Sequence, residues 1–169
     1  MESSQVLKDK VILVVDDEPD VLDTIADVLE GCLITKARDF DTARQYLMGF
    51  TYDIVILDIM GVNGFELLKI AVKRGFPAVM LTAYALTPEA LEQSIRLGAV
   101  SFLPKEKMGD LNDYLADVVL GGYKPAWGKL FDKLGHLFNK RFGPDWKQRN
   151  QFFKEFQEIL QKEASAQHP

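Results

Sequence analysis

An acidic run Asp16-Asp17-Glu18, a lone Asp58, a hydroxyl at Thr82 and an ammonium at Lys105 are spread over about ninety residues, yet each follows a short apolar stretch. Brought together, Asp16, Asp17 and Asp58 would repel by about 4 kcal/mol per close pair at an effective dielectric of about 20, so a cation must offset them. Magnesium takes oxygen ligands and keeps several waters, which suits three carboxylates and a loop carbonyl. Lys105 adds a second positive charge, and Thr82 can donate to a bound oxyanion. These are the parts for moving a phosphoryl group onto Asp58: metal and ammonium neutralise the equatorial oxygens while the carboxylate attacks in line. An isolated Asp after a strand more often only caps a turn. The combination is what carries weight.

Such residues need elements that end side by side. In Tyr-Asp-Ile-Val-Ile-Leu-Asp the apolar positions 54–57 do not alternate with polar ones, which predicts a strand buried on both faces, the habit of parallel sheets. Asp58 then falls at the carboxyl edge, where open α/β sheets bind ligands. Residues 11–15 repeat the pattern and stop at Asp16. Pro19 suits a first helical turn, and Val21, Leu22, Ile25, Val28 and Leu29 recur at helical spacing up to Gly31. The remaining periods predict strands over 33–37, 78–81 and 100–103, and helices over 42–48, 64–74, 88–97 and about 106–120. Five strand-helix units argue for a five-stranded parallel sheet wound on both faces by right-handed crossovers.

The chain has 169 residues, 47% apolar and 27% charged, a globular composition. No apolar run nears the roughly 18 residues of a membrane span, and Met-Glu-Ser-Ser-Gln lacks the basic and apolar regions of a signal peptide, so a cytoplasmic protein is expected. The single Cys32 lies beside Leu33 and Ile34 and reads as a buried thiol. An Asp-nucleophile phosphatase resembles Asp-x-Asp, but the second acid is here Met60. A nucleotide site is disfavoured because Asp-Asp-Glu-Pro, not a glycine-rich loop, follows the first strand. His136 and His168 lie outside the strand framework and are poor metal ligands.

In order along the strand ends, these residues resemble the receiver domain of two-component response regulators, over residues 9–121. Asp16-Asp17 resembles the family's acidic metal-binding pair, Asp58 its phospho-acceptor, Thr82-Ala83 its switch hydroxyl and small neighbour, and Phe102-Leu103-Pro104-Lys105 its switch aromatic and phosphate-binding lysine. The resemblance implies a flavodoxin-like fold and Mg2+ held by Asp16, Asp17, Asp58 and the Met60 carbonyl. It implies a sensor histidine kinase or phosphotransfer protein as partner. The role is signalling, with catalysis limited to the domain's own phosphotransfer and dephosphorylation. Two departures stand out: the 58–64 loop is about two residues short, and Glu106 replaces the usual proline after Lys105. An inert pseudo-receiver scaffold is the alternative they raise. On phosphorylation, Thr82 is expected to move toward the new oxygens and Phe102 to turn inward.

Beyond Gly121-Gly122 and Pro125 the character changes. Residues 1–120 hold 20 acids against 11 bases, whereas residues 121–169 hold 5 against 9. A split of this kind means a nucleic-acid-binding tail or two parts that attract each other. Trp127, Leu130, Phe131, Leu134, Leu137, Phe138 and Phe142 form one helical stripe; Trp146, Phe152, Phe153, Phe156, Ile159 and Leu160 mark a second, after Gly143-Pro144. An αα-hairpin over 122–164 is expected, its stripes buried on the receiver, in a homodimer or on a partner. A homodimer is the reading carried forward, since five helices already cover the sheet. A small basic DNA-binding output is the alternative, but the segment is short for a winged helix and its aromatics suit burial better than nucleic-acid reading.

Overall fold

The computed structural model describes residues 2–167, so His168 lies outside the described residues. The apolar runs become β1 (Val11–Val15), β2 (Leu33–Ala37), β3 (Ile54–Asp58), β4 (Ala78–Thr82) and β5 (Ser101–Pro104). All pair in parallel, in the order β2-β1-β3-β4-β5. The helices are α1 (Ser3–Val6), α2 (Pro19–Val28), α3 (Phe40–Gly49), α4 (Gly64–Lys73), α5 (Pro88–Arg96), α6 (Leu111–Leu120), α7 (Trp127–Phe142) and α8 (Gln151–Gln167). Helix α2 packs with α6, and α3 with α4, in layers on the sheet. Every residue of β3 and β4 is buried, as their unbroken apolar runs require.

Register is what gathers the chemistry. Val15 pairs with Leu57, so Asp16 and Asp58 leave the sheet side by side. Asp58 pairs with Leu81 and Thr82 with Pro104, so Thr82 and Lys105 each follow one step beyond on the same edge. Local chemistry starts the helices in phase with the strands. Pro19 opens α2, Asp39 accepts the Thr42 amide at 2.8 Å to cap α3, and Thr87 accepts the Ala90 amide at 3.1 Å to cap α5.

The two edges of the sheet differ. β2 is only partly covered, with Leu33 and Lys36 exposed, but β5 is buried along its whole length. The cover is the tail. Helix α7 lies against β5, its first turn tied down by the Ala126 amide donating to the Val100 carbonyl at 2.9 Å. Trp127, Leu130, Leu134 and Phe138 are buried in the same core as the sheet. Lys133 pairs with Asp117 of α6, Arg141 with Glu106 at 2.7 Å, and Arg96 of α5 lies over the Phe152 ring at 4.5 Å. The charge asymmetry of the sequence is therefore expressed as attraction between tail and body. The stripe expected to need a second chain is buried within its own.

Other boundaries moved for identifiable reasons. The helix expected from about residue 106 begins as a 3-10 turn, Lys105–Asp110, and becomes α-helical at Leu111. β5 runs one residue later than expected, because Pro104 ends an edge strand without needing an amide donor. Trp146 is in the turn between α7 and α8 and not on a helix. Its indole donates to Asn139 Oδ1 at 3.0 Å, while Asn150 accepts the Phe153 amide at 3.3 Å and starts α8 there. The polar lead contains α1, whose Ser3 hydroxyl donates to Asp113 at 2.7 Å.

Candidate functional site

At the carboxyl edge of the sheet, Lys105 Nζ sits 2.9 Å from Asp16 Oδ2, 3.4 Å from Asp58 Oδ1 and 3.8 Å from Glu18 Oε1. Asp16 is fully buried and Asp58 is only 4% exposed. Burial, then the Asp16 charge, push the Asp58 carboxyl up from 3.8 to about 7, against the opposing pull of Lys105. Burial alone would lower the Lys105 pKa, but the carboxylates of Asp16, Asp58 and Glu18 outweigh it and hold the ammonium above its ordinary range.

The site is short of positive charge. Asp16 Oδ1 accepts the Glu18 amide at 2.9 Å. Oδ2 has its close charge contact with Lys105 but, among the described residues, no aligned hydrogen-bond donor. A buried carboxylate oxygen left so is uncommon. Carboxylate oxygens of Asp16, Asp17 and Glu18 also lie within 4.8 Å of one another. Hard oxygen donors around an under-satisfied buried acid fit a small divalent cation such as magnesium.

The loop after Asp58 is shaped by two glycines. Gly61 has φ +86°, and a Cβ there would lie 2.6 Å from Asp17 Oδ2, so the turn leaves room for that carboxylate. A Cβ on Gly64 would fall 2.0 Å from the Asp58 carbonyl oxygen. Asn63 is left-handed at φ 54°, and the Gly64 amide donates to Ile59 at 3.0 Å, closing the short loop. Met60 is on its outer side, 53% exposed.

Of the residues picked from sequence, Asp16, Asp58 and Lys105 are in direct contact. Asp17 is exposed beside them. Thr82 is buried on the next strand, its hydroxyl accepting the Ala85 amide at 2.9 Å. Phe102 stands further back on β5, fully buried, its ring 6.4 Å from that of Phe138. The expected inward turn has no exposed starting position. Glu18, Gly61 and Gly64 join the site beyond the residues to which the sequence assigns a role. Glu18 was legible as the third acid of its run; the glycines' role depends on a close approach that no local pattern reveals.

The family model of the response regulator receiver domain matches residues 12–116. The chain belongs to that family: it contains the receiver domain of a two-component response regulator, a signalling module. Protein PetR of Rhodobacter capsulatus is 33% identical over 99 residues, covering 56% of this chain and 41% of PetR, so the match spans less than half of that relative. A CheY-like receiver domain protein from Methanospirillum hungatei JF-1 has a similar structure, with TM-score 0.61 and 25% identity over 68% of this chain and 96% of its own. NtrX from Brucella abortus matches with TM-score 0.60 and 31% identity, over 76% of this chain and 29% of NtrX. No described helix is long and apolar enough to cross a membrane.

Proposed function

We propose that Asp58 accepts a phosphoryl group from the phosphohistidine of a sensor histidine kinase or phosphotransfer protein, or from a small acyl phosphate. The observation that carries this is the buried Asp58 carboxylate with Lys105 Nζ 3.4 Å away at the open edge of the sheet. An Asp58 oxygen attacks phosphorus; its new P–O bond forms as the donor's P–N or P–O bond breaks, and the leaving group departs with that electron pair. Lys105 meets the charge that gathers on the equatorial oxygens. Thr82 already accepts the Ala85 amide, so its own proton is available to a phosphoryl oxygen. Asp16, Asp17, Asp58 and the Met60 carbonyl would hold magnesium, with Glu18 beside them. When bound, magnesium would neutralise the acids and withdraw charge from the transferring group.

Residues 9–121 form the receiver in this reading and residues 122–164 an extension. Incubation with acetyl phosphate and magnesium should add the mass of one phosphoryl group to the full chain. Lys105→Met should slow that labelling on the order of 10²-fold, the cost of losing one electrostatic stabiliser. Labelling of Lys105→Met at the unaltered rate would contradict the assignment.

For the extension, burial of the α7 stripe against the chain's own β5 supports a monomer over the homodimer through 122–164. Within the extension Ile159 is the one large apolar side chain among the described residues left mostly exposed, far less than a stable interface through 122–164 needs. Sedimentation equilibrium of the full chain at tens of micromolar should give one chain per particle. A dimer would restore the pairing of two tails. Four of the extension's nine basic residues are already engaged, which weighs against nucleic acid as a partner: Lys133, Arg141 and Arg149 are ion-paired, and Lys147 lies over the Phe131 and Trp146 rings.

A further inference from the structure

We propose that the cleft between α8 and the receiver body is a binding site for a free amphipathic monoanion, a carboxylate on an apolar chain of the fatty-acid kind. The cleft has a volume of about 790 Å³, within the range of small-molecule sites. It opens beside Gly98 and Ala99, at the amino end of β5, so it lies at the opposite edge of the sheet from Asp58 and uses none of the residues gathered there. The inference therefore stands apart from the phospho-acceptor reading.

The cleft exists because of the way α8 leaves the body. Its first turn is held: Phe153 is buried, and Arg96 covers the Phe152 ring. Further along, the same stripe loses its cover. Phe156 and Leu160 are only partly buried, and Ile159 is 50% exposed. These three line the cleft from α8, while Ile95 and the buried Trp127 line it from the body. Apolar surface left wet in this way forgoes about 25 cal/mol per Å². A chain of methylenes laid between the walls would recover it.

Charge selects the headgroup. Four charged side chains border the cleft, Asp117, Lys124, Lys129 and Glu163. Asp117 is already paired with Lys133, whereas Lys124 and Lys129 have no acid partner among the described residues. Two ammoniums against Glu163 leave one positive charge, which a single carboxylate would neutralise through charge-assisted hydrogen bonds. Both lysines are exposed, so their stems can lie along an apolar chain while the ammoniums meet its headgroup in water. A free anion is favoured over a membrane surface because these apolar side chains line a cleft and do not form a protruding face, Ile159 being the one left mostly exposed.

The probe is decanoate, titrated calorimetrically into the full chain below its micelle concentration. One site per chain is expected, saturating below about 1 mM. Lys124→Ala combined with Lys129→Ala should weaken binding on the order of tenfold, the loss of one charge-assisted hydrogen bond, and Ile159→Asp should weaken it at least as much. All three positions are exposed, so the fold should be kept. Decanol should bind on the order of tenfold more weakly than decanoate, and Asp58→Asn should bind decanoate as the unaltered chain does. No saturation by about 1 mM, affinity untouched by the substitutions, or equal affinity for decanol would each overturn the proposal. Uptake of the chain onto phosphatidylglycerol vesicles without binding of decanoate would give the surface to a membrane. Pairing of chains in sedimentation equilibrium without decanoate binding would give the cleft to a second copy, and either result overturns the free anion.

Discussion

Asp58→Asn should stabilise the magnesium-free protein at pH 8 by up to about 4 kcal/mol. The carboxyl, normally near 3.8, is held at about 7, first by burial and then by Asp16. The sign follows from proton counts. Between pH about 4 and 7 the native state keeps a proton that the unfolded chain has released, so native stability falls as pH rises through that window and levels off above it. At about 1.4 kcal/mol per pH unit, the interval amounts to about 4 kcal/mol once Asp58 is fully ionised. Asparagine carries no such charge. Urea unfolding in chelator should show a large gain for Asp58→Asn at pH 8 and a gain below about 2 kcal/mol at pH 5. Magnesium should stabilise the unaltered protein and do much less for the variant. Equal stability of the two at pH 8 in chelator would mean that the acid cluster is not strained.

Gly64→Ala should cost about 4 kcal/mol or more, a size reserved for backbone collisions and similar faults. The added methyl would lie 2.0 Å from the Asp58 carbonyl oxygen and 2.8 Å from Ile59 Cα. Both are backbone atoms, so no rotamer change relieves the clash, and the short loop offers little slack. The residue displaced is Asp58 itself, so phosphoryl transfer should fail even where the variant folds. Gly135→Ala is the matched control. It stands within α7 with nothing within 4 Å of its would-be Cβ, and should gain about 0.5–1 kcal/mol from reduced chain freedom. Thermal or urea midpoints separate the two, and comparable midpoints would show that the loop can re-form around a side chain.

The contrast between these glycines marks how far the sequence could be read. The runs at 11–15, 54–57 and 78–81 declare buried parallel strands because nothing polar interrupts them, and an acid or hydroxyl stands where each stops. Strand order and register then bring Asp16, Asp58, Thr82 and Lys105 to one edge, as the alternation of strand and helix leads one to expect. Close approaches leave no such trace. Gly64 looks like an ordinary helix start until the Asp58 carbonyl is seen beneath it. Tail docking was hidden for a related reason. The periodicity of Leu130, Leu134 and Phe138 states that a face must be buried but not what buries it, and only the structure reveals that β5 offers an edge wide enough. Trp146 has the right character for the second stripe, yet Gly143-Pro144 before it and the Asn150 cap after it keep it in the turn.

The central claim is chemical and local: the phosphoryl group resides on the Asp58 carboxylate. Borohydride reduces an aspartyl phosphate to homoserine and leaves a free carboxylate untouched, so treatment of the acetyl phosphate-labelled chain, followed by peptide sequencing in a mass spectrometer, reads the site directly. Homoserine at position 58, absent without magnesium and absent from Asp58→Asn, is the predicted result. Homoserine at Asp16 or Asp17 instead, or a phosphorylated chain with aspartate still at 58 after complete reduction, would contradict it.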